Sequence, residues 1–83
     1  MNVTVLLFAQ ARERAGRGRI ELELPSNSRV ADAVTTIRRQ HPDLEPLWPH
    51  LAVAVDGELA AADAPLREGV EIALLPPVSG GSR

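Results

Sequence analysis

Eighty-three residues leave room for one small hydrophobic core and no second domain. Apolar residues make up 45% and charged residues 24%, the balance of an ordinary globular chain, which excludes a disordered or collagen-like polymer. A net charge of −2 with only two aromatic residues, Phe8 and Trp48, argues against nucleic-acid binding, which needs basic patches and stacking rings. The absence of cysteine excludes disulfides, thiolate metal sites and a cysteine persulfide. Charge is unevenly spread: residues 1–42 hold seven arginines and four acids, and residues 43–83 two arginines and seven acids. All basic residues are arginine; the chain has no lysine. Its unbroken apolar runs, such as Val5–Ala9 and Leu51–Val55, are too short to cross a bilayer. No basic-then-apolar leader opens the chain, so a cytoplasmic location, away from membranes, is expected.

Asn2-Val3-Thr4-Val5 alternates with period two and runs into Leu6-Leu7-Phe8, predicting a strand with apolar contacts on both faces. Val3, Val5 and Leu7 share one side, and Leu6 and Phe8 the other. Ala9 to Gly18, with Arg12, Arg14 and Arg17 and two glycines, reads as a short helical turn followed by a loop. Arg19 to Leu24 alternates as a second strand with one wet face. Pro25-Ser26-Asn27 breaks it, Ser28 is the expected N-cap, and Val30, Val34, Ile37 and His41 recur at helical spacing until Pro42 stops the run. Asp43 to His50, with two prolines, is expected to be irregular with one turn of 3₁₀ helix. Val53 and Val55 alternate up to Asp56-Gly57, a strong hairpin signal, and Glu58 to Ala60 gives a weak return strand. After a turn at Leu66 to Gly69, Val70 to Leu75 alternates as the last strand before Pro76-Pro77.

The resulting order, β-β-α-β-β-β, predicts an α+β fold of the β-grasp type, a mixed sheet with one main helix packed on one face. First and last strands are expected to be central, parallel neighbours. Residues 1–77 would form this domain and residues 78–83 a flexible tail carrying Gly80-Gly81. Pro76-Pro77 favours a stiff, extended exit, and Gly80-Gly81 can enter a channel too narrow for any side chain. From Pro76 to Gly81 such an arm reaches at most about 20 Å.

Leu7-Phe8-Ala9-Gln10-Ala11-Arg12-Glu13, the helix ended by His41-Pro42, Leu66-Arg67-Glu68-Gly69-Val70-Glu71-Ile72 and Pro76-Pro77-Val78-Ser79-Gly80-Gly81 together resemble the small subunit of molybdopterin synthase, over nearly the whole chain. The resemblance implies a ubiquitin-like sulfur carrier. Its terminal glycine, here Gly81 with Gly80 as slender neighbour, is adenylated by an E1-like enzyme that uses ATP, becomes a thiocarboxylate, and enters the large subunit, where the catalytic pocket lies. There it gives sulfur to a cyclic pyranopterin phosphate. The resemblance further implies a partner surface at Phe8, Arg12, Leu75, Pro76, Pro77 and Val78, and no bound cofactor. The family usually stops at the second glycine and has an acid where Val70 stands. Here Ser82-Arg83 follow Gly81, so a free Gly81 carboxylate requires that a protease remove them or that they be foreign to the native chain; otherwise the activity is lost. The same tail suits carriers for thiamine, cysteine or tRNA thiolation, and a ubiquitin-like interaction domain is the alternative of a different class.

His41 and His50 have no third ligand in view and read as surface residues. Ser26, Ser28 and Ser79 have no histidine at a recognisable spacing for nucleophilic catalysis. Arg12, Arg14, Arg17 and Arg19 read either as a patch for an acidic partner or as a solvated loop.

Overall fold

The opening alternation forms β1 (Asn2–Leu7). In the computed structural model, which describes residues 1–76, Val3, Val5 and Leu7 are buried while Leu6 is half-buried on the opposite face. Four more strands complete one sheet: β2 (Arg19–Glu23), β3 (Ala52–Val55), β4 (Glu58–Leu59) and β5 (Glu71–Leu75), in the order β2-β1-β5-β3-β4. β1 and β5 run parallel, Thr4 opposite Glu71 through Leu7 opposite Leu74, and the other pairs are antiparallel. A parallel pair needs a long crossover; here everything between the first and last strands supplies it.

One sheet face is covered by α2 (Val30–Gln40), which buries Val30, Ala33 and Ile37 at the helical spacing that keeps them on one side. They join Val3, Val5, Leu7, Ile20, Leu22, Ile72 and Leu74 in a single core. Each fully buried aliphatic side chain is worth about 1.5–3 kcal/mol. The arrangement is the expected β-grasp.

Ser28 is not the N-cap. The cap is Arg29, in extended backbone, and its N–H donates to the Asp32 carboxylate at 2.7 Å. The first free N–H groups of α2 are taken by the chain instead: Val30 donates to the Ala64 carbonyl at 3.0 Å and Ala31 to that of Ala62 at 2.8 Å. Ser28 is buried, and its hydroxyl turns back to the Pro25 carbonyl at 2.7 Å. The other differences lie at ends and connections. β1 stops at Leu7, and Phe8 stays extended as the cap of a seven-residue helix, α1 (Ala9–Ala15). β2, β4 and β5 are each one residue shorter than the pattern suggested. The proline-rich stretch is 3₁₀ helix throughout Pro42–His50, burying Leu44. Proline fixes φ near the helical value, offers no N–H to either kind of helix, and in an α-helix its ring also clashes with the carbonyl four residues back, so the stretch holding Pro46 and Pro49 runs as 3₁₀ turns.

Candidate functional site: the open face of the sheet

The face turned away from α2 can be built from the register. Leu6 lies opposite Arg19 on one side and Ala73 on the other, Ala73 opposite Ala54, and Ala54 opposite Leu59. One row therefore crosses all five strands and is apolar from Leu6 to Leu59. The next row toward the end of β5 contains Leu75 opposite Ala52. Side chains two apart on a strand share a face, so Phe8, extended beyond Leu6, continues this apolar end.

The other end of the same face is acidic. Glu21 lies opposite Thr4 and Thr4 opposite Glu71. The Arg19 guanidinium donates to Glu21 at 2.8 Å and the Thr4 hydroxyl at 3.0 Å. These hydrogen bonds, Arg19's first, hold the Glu21 carboxyl below the usual carboxylate range. Beside them, the Glu71 N–H donates to the Asp56 carboxylate at 3.2 Å.

Two large hydrophobic side chains stand exposed among the described residues: Phe8, 44% accessible, and Leu59, 76% accessible. Both belong to the apolar end. The structure thus brings Phe8, Leu75 and the half-buried Pro76 to the end of the sheet where β5 finishes. Arg12 is exposed on α1, beside Gly18: a Cβ at Gly18 would come within 3.3 Å of the Arg12 Nε. Pro77, Val78, Gly80 and Gly81, and the expectation of a flexible tail over residues 78–83, lie outside the described residues.

Leu59 escaped the reading of the sequence, although a signal existed. Asp56 and Gly57 both adopt positive φ, 50° and 88°, as a two-residue type I′ hairpin requires. That turn pairs Val55 with Glu58 and therefore places Leu59 against Ala54.

A concavity of about 530 Å³ lies between α2 and the β3–β4 edge and shares Ala52 and Leu59 with the rim of the open face. Its lining, including Val34, Leu51, Val53 and Leu59, contains no titratable side chain, so it offers no acid, base or nucleophile. Among the described residues no cluster of three or more His, Asp or Glu could hold a metal ion, and no helix is long and apolar enough to cross a membrane. What the open face can do chemically is dock.

A model of the ThiS family matches residues 5–81. The chain belongs to the ThiS family. This ThiS-family chain is 36% identical to small archaeal modifier protein 1 of Haloferax volcanii, over 90% of its own length and 95% of that protein's. It is 32% identical to the molybdopterin synthase sulfur carrier subunit of Arabidopsis thaliana, over 98% of its length and 84% of that protein's. The crystal structure of the Haloferax volcanii modifier superposes with a TM-score of 0.88 at 32% identity, covering 98% of this chain and 100% of that one. The ThiS-family fold here is therefore the ubiquitin-like β-grasp.

Proposed function

We propose that this chain is a sulfur carrier whose Gly81 carboxyl group becomes a thiocarboxylate and donates sulfur to cyclic pyranopterin monophosphate in molybdenum-cofactor synthesis. The observation that carries the reading is the apolar end of the open face, Leu6, Phe8, Ala73, Leu75 and Leu59. It lies where β5 ends and the sequence continues to Gly80-Gly81. An exposed apolar patch on so small a protein marks a partner site, and here it is contiguous with the segment that would carry the reactive group. The 32% identity to a molybdopterin synthase sulfur carrier subunit supports the choice of acceptor.

The chemistry divides between the carrier and its partners. A carboxylate is a poor acyl electrophile, so an E1-like enzyme must first exchange it for a leaving group: the Gly81 oxygen attacks the α-phosphorus of ATP and pyrophosphate departs. A sulfur nucleophile then adds to the carbonyl carbon and AMP leaves. The carrier supplies no base at any step. It supplies the docking face and a glycine end that fits a narrow channel, while the large subunit supplies the pocket for the pterin.

A second reading is favoured by one finding, the 36% identity to small archaeal modifier protein 1: the same activated carboxyl group would pass to an amine on another protein.

The test is to incubate the Gly81-ended chain, and the chain retaining Ser82-Arg83, with the activating enzyme, ATP and a sulfur donor, then record intact masses. Replacement of oxygen by sulfur adds about sixteen mass units, as expected when a sulfur nucleophile displaces an activated leaving group. The gain is expected in the Gly81-ended form alone, because with Ser82-Arg83 attached the Gly81 carbonyl is in a peptide bond. Sulfur in neither form would overturn the carrier reading.

A further inference from the structure

The basic residues at the start of the chain gather where the reactive end departs. Arg12 and Arg14 lie in α1, Arg17 in the loop after it, and Arg19 opens β2. α1 follows directly on β1, whose last residue, Leu7, pairs with Leu74 near the end of β5. β2 begins at the same end, Arg19 opposite Leu6. From Leu75 six residues lead to Gly81, and six residues extend at most about 20 Å. An activated Gly81 carbonyl thus has the range to meet this cluster.

A lysine there would be a hazard. With a pKa near 10.4, roughly one lysine in a few thousand is the free amine at neutral pH, but a short tether presents it at millimolar effective concentration. A guanidinium stays protonated at any physiological pH and has no lone pair to offer a carbonyl. The cluster therefore provides positive charge without nucleophilicity, and the rest of the chain has no lysine either. The one amine among the described residues is the Met1 nitrogen. It sits at the opposite end of β1 and donates to the Leu24 carbonyl at 2.6 Å.

We propose that the arginine-only basic surface makes this chain an outward acyl donor: its activated carboxyl end passes to sulfur or to an amine on another molecule, never to a side chain of its own body or of a second copy, so carriers do not branch through their side chains. The inference rests on the reading that Gly81 is activated. The forbidden step is an acyl transfer in which a lysine Nζ lone pair attacks the Gly81 carbonyl carbon, the bond to the leaving group breaks, and the ammonium proton passes to solvent; no oxidant or reductant is involved.

The experiment bypasses the activating enzyme, so that failure of adenylation and failure of this inference are told apart. The Gly81-ended chain, complete over residues 1–76 that make the fold, is prepared as a carboxyl-terminal thioester of 2-mercaptoethanesulfonate and held at pH 8.5. Wild type is expected to form no amide with its own side chains, and to acylate an added lysine-containing peptide. R14K and R17K are expected to lose the thiol on the order of tenfold faster, as tethering predicts, and to appear by mass as cyclised amide or covalent dimer. An amide formed by wild type with one of its own side chains, located by peptide mapping, overturns the proposal. So do lysine variants as inert as wild type, which would mean that arginine is not what protects the end, and so does a peptide left unacylated.

Discussion

Phe8 and Leu59 expose apolar surface that the fold does not need and that a partner can cover. On the proposed function, replacing either by Asp is expected to weaken binding to a molybdopterin synthase large subunit by about 2 kcal/mol or more, the range of a buried aromatic or aliphatic anchor. Stability should change by no more than about 0.5 kcal/mol, as for surface sites generally. Titration calorimetry with the large subunit and a thermal melt of the free protein together check both halves. Ile37 is the contrast: it is fully buried at the centre of the core, so Ile37→Ala should cost about 2–5 kcal/mol, read from the urea midpoint. At this scale Phe8 was legible, because period-two alternation assigns its face without knowing any neighbour. Leu59 was not, because its role depends on which residue it meets across the sheet. Ser28 misled for a related reason: a serine before a helix predicts a cap only when no other acceptor competes, and here the Ala62 and Ala64 carbonyls had taken the N–H groups of Ala31 and Val30.

Among the elements, the Asp56-Gly57 hairpin carries the sharpest expectation. Gly57 sits at a φ of 88° with open space where a Cβ would go, so the strain of a substitution is conformational and not steric crowding. Gly57→Ala should destabilise by about 1–2 kcal/mol, the cost of holding an L-residue in the left-handed region, measured by urea unfolding. The loss should spread to β3, since Ala54 and Val55 pair with Leu59 and Glu58. The hairpin, the strand alternation and the apolar stripe of α2 were all legible, because each is written in consecutive residues. The extent of the 3₁₀ segment Pro42–His50 was not. Its prolines announce that no α-helix can form, and the burial of Leu44 against the core is what draws the whole segment into one regular shape.

For the whole molecule, two ion pairs set a response to acid. Glu21 is held below the ordinary carboxylate range by Arg19 and Thr4, and Glu45 by Arg38. A carboxyl whose folded-state value is depressed contributes stability that is present above its unfolded value, about 4.3, and is lost as the pH falls through the folded-state value. The protein should therefore weaken below about pH 4, and Glu21→Gln with Glu45→Gln should flatten that decline. Urea midpoints at neutral and acid pH decide it. Both pairs are exposed, so the effect is expected to be small. The β-grasp itself was legible at this scale from element order alone. The partition of the open face into apolar and acidic ends was not, since it arises only when β1 and β5, distant in sequence, lie side by side.

That pairing has a mechanical meaning. β5 is the middle strand of five, and it is the strand from which the tail leads. A machine that unravels proteins by hauling on the carboxyl end meets β5 first, and its parallel bonds to β1, from Thr4 opposite Glu71 to Leu7 opposite Leu74, are then loaded in shear and resist together. The β3–β4 hairpin, pulled at its own ends, would unzip one pair at a time. Single-molecule stretching between Met1 and Leu75 should accordingly require more force than stretching between Ala52 and Leu59. The protein can be tugged by its carboxyl end and keep its shape.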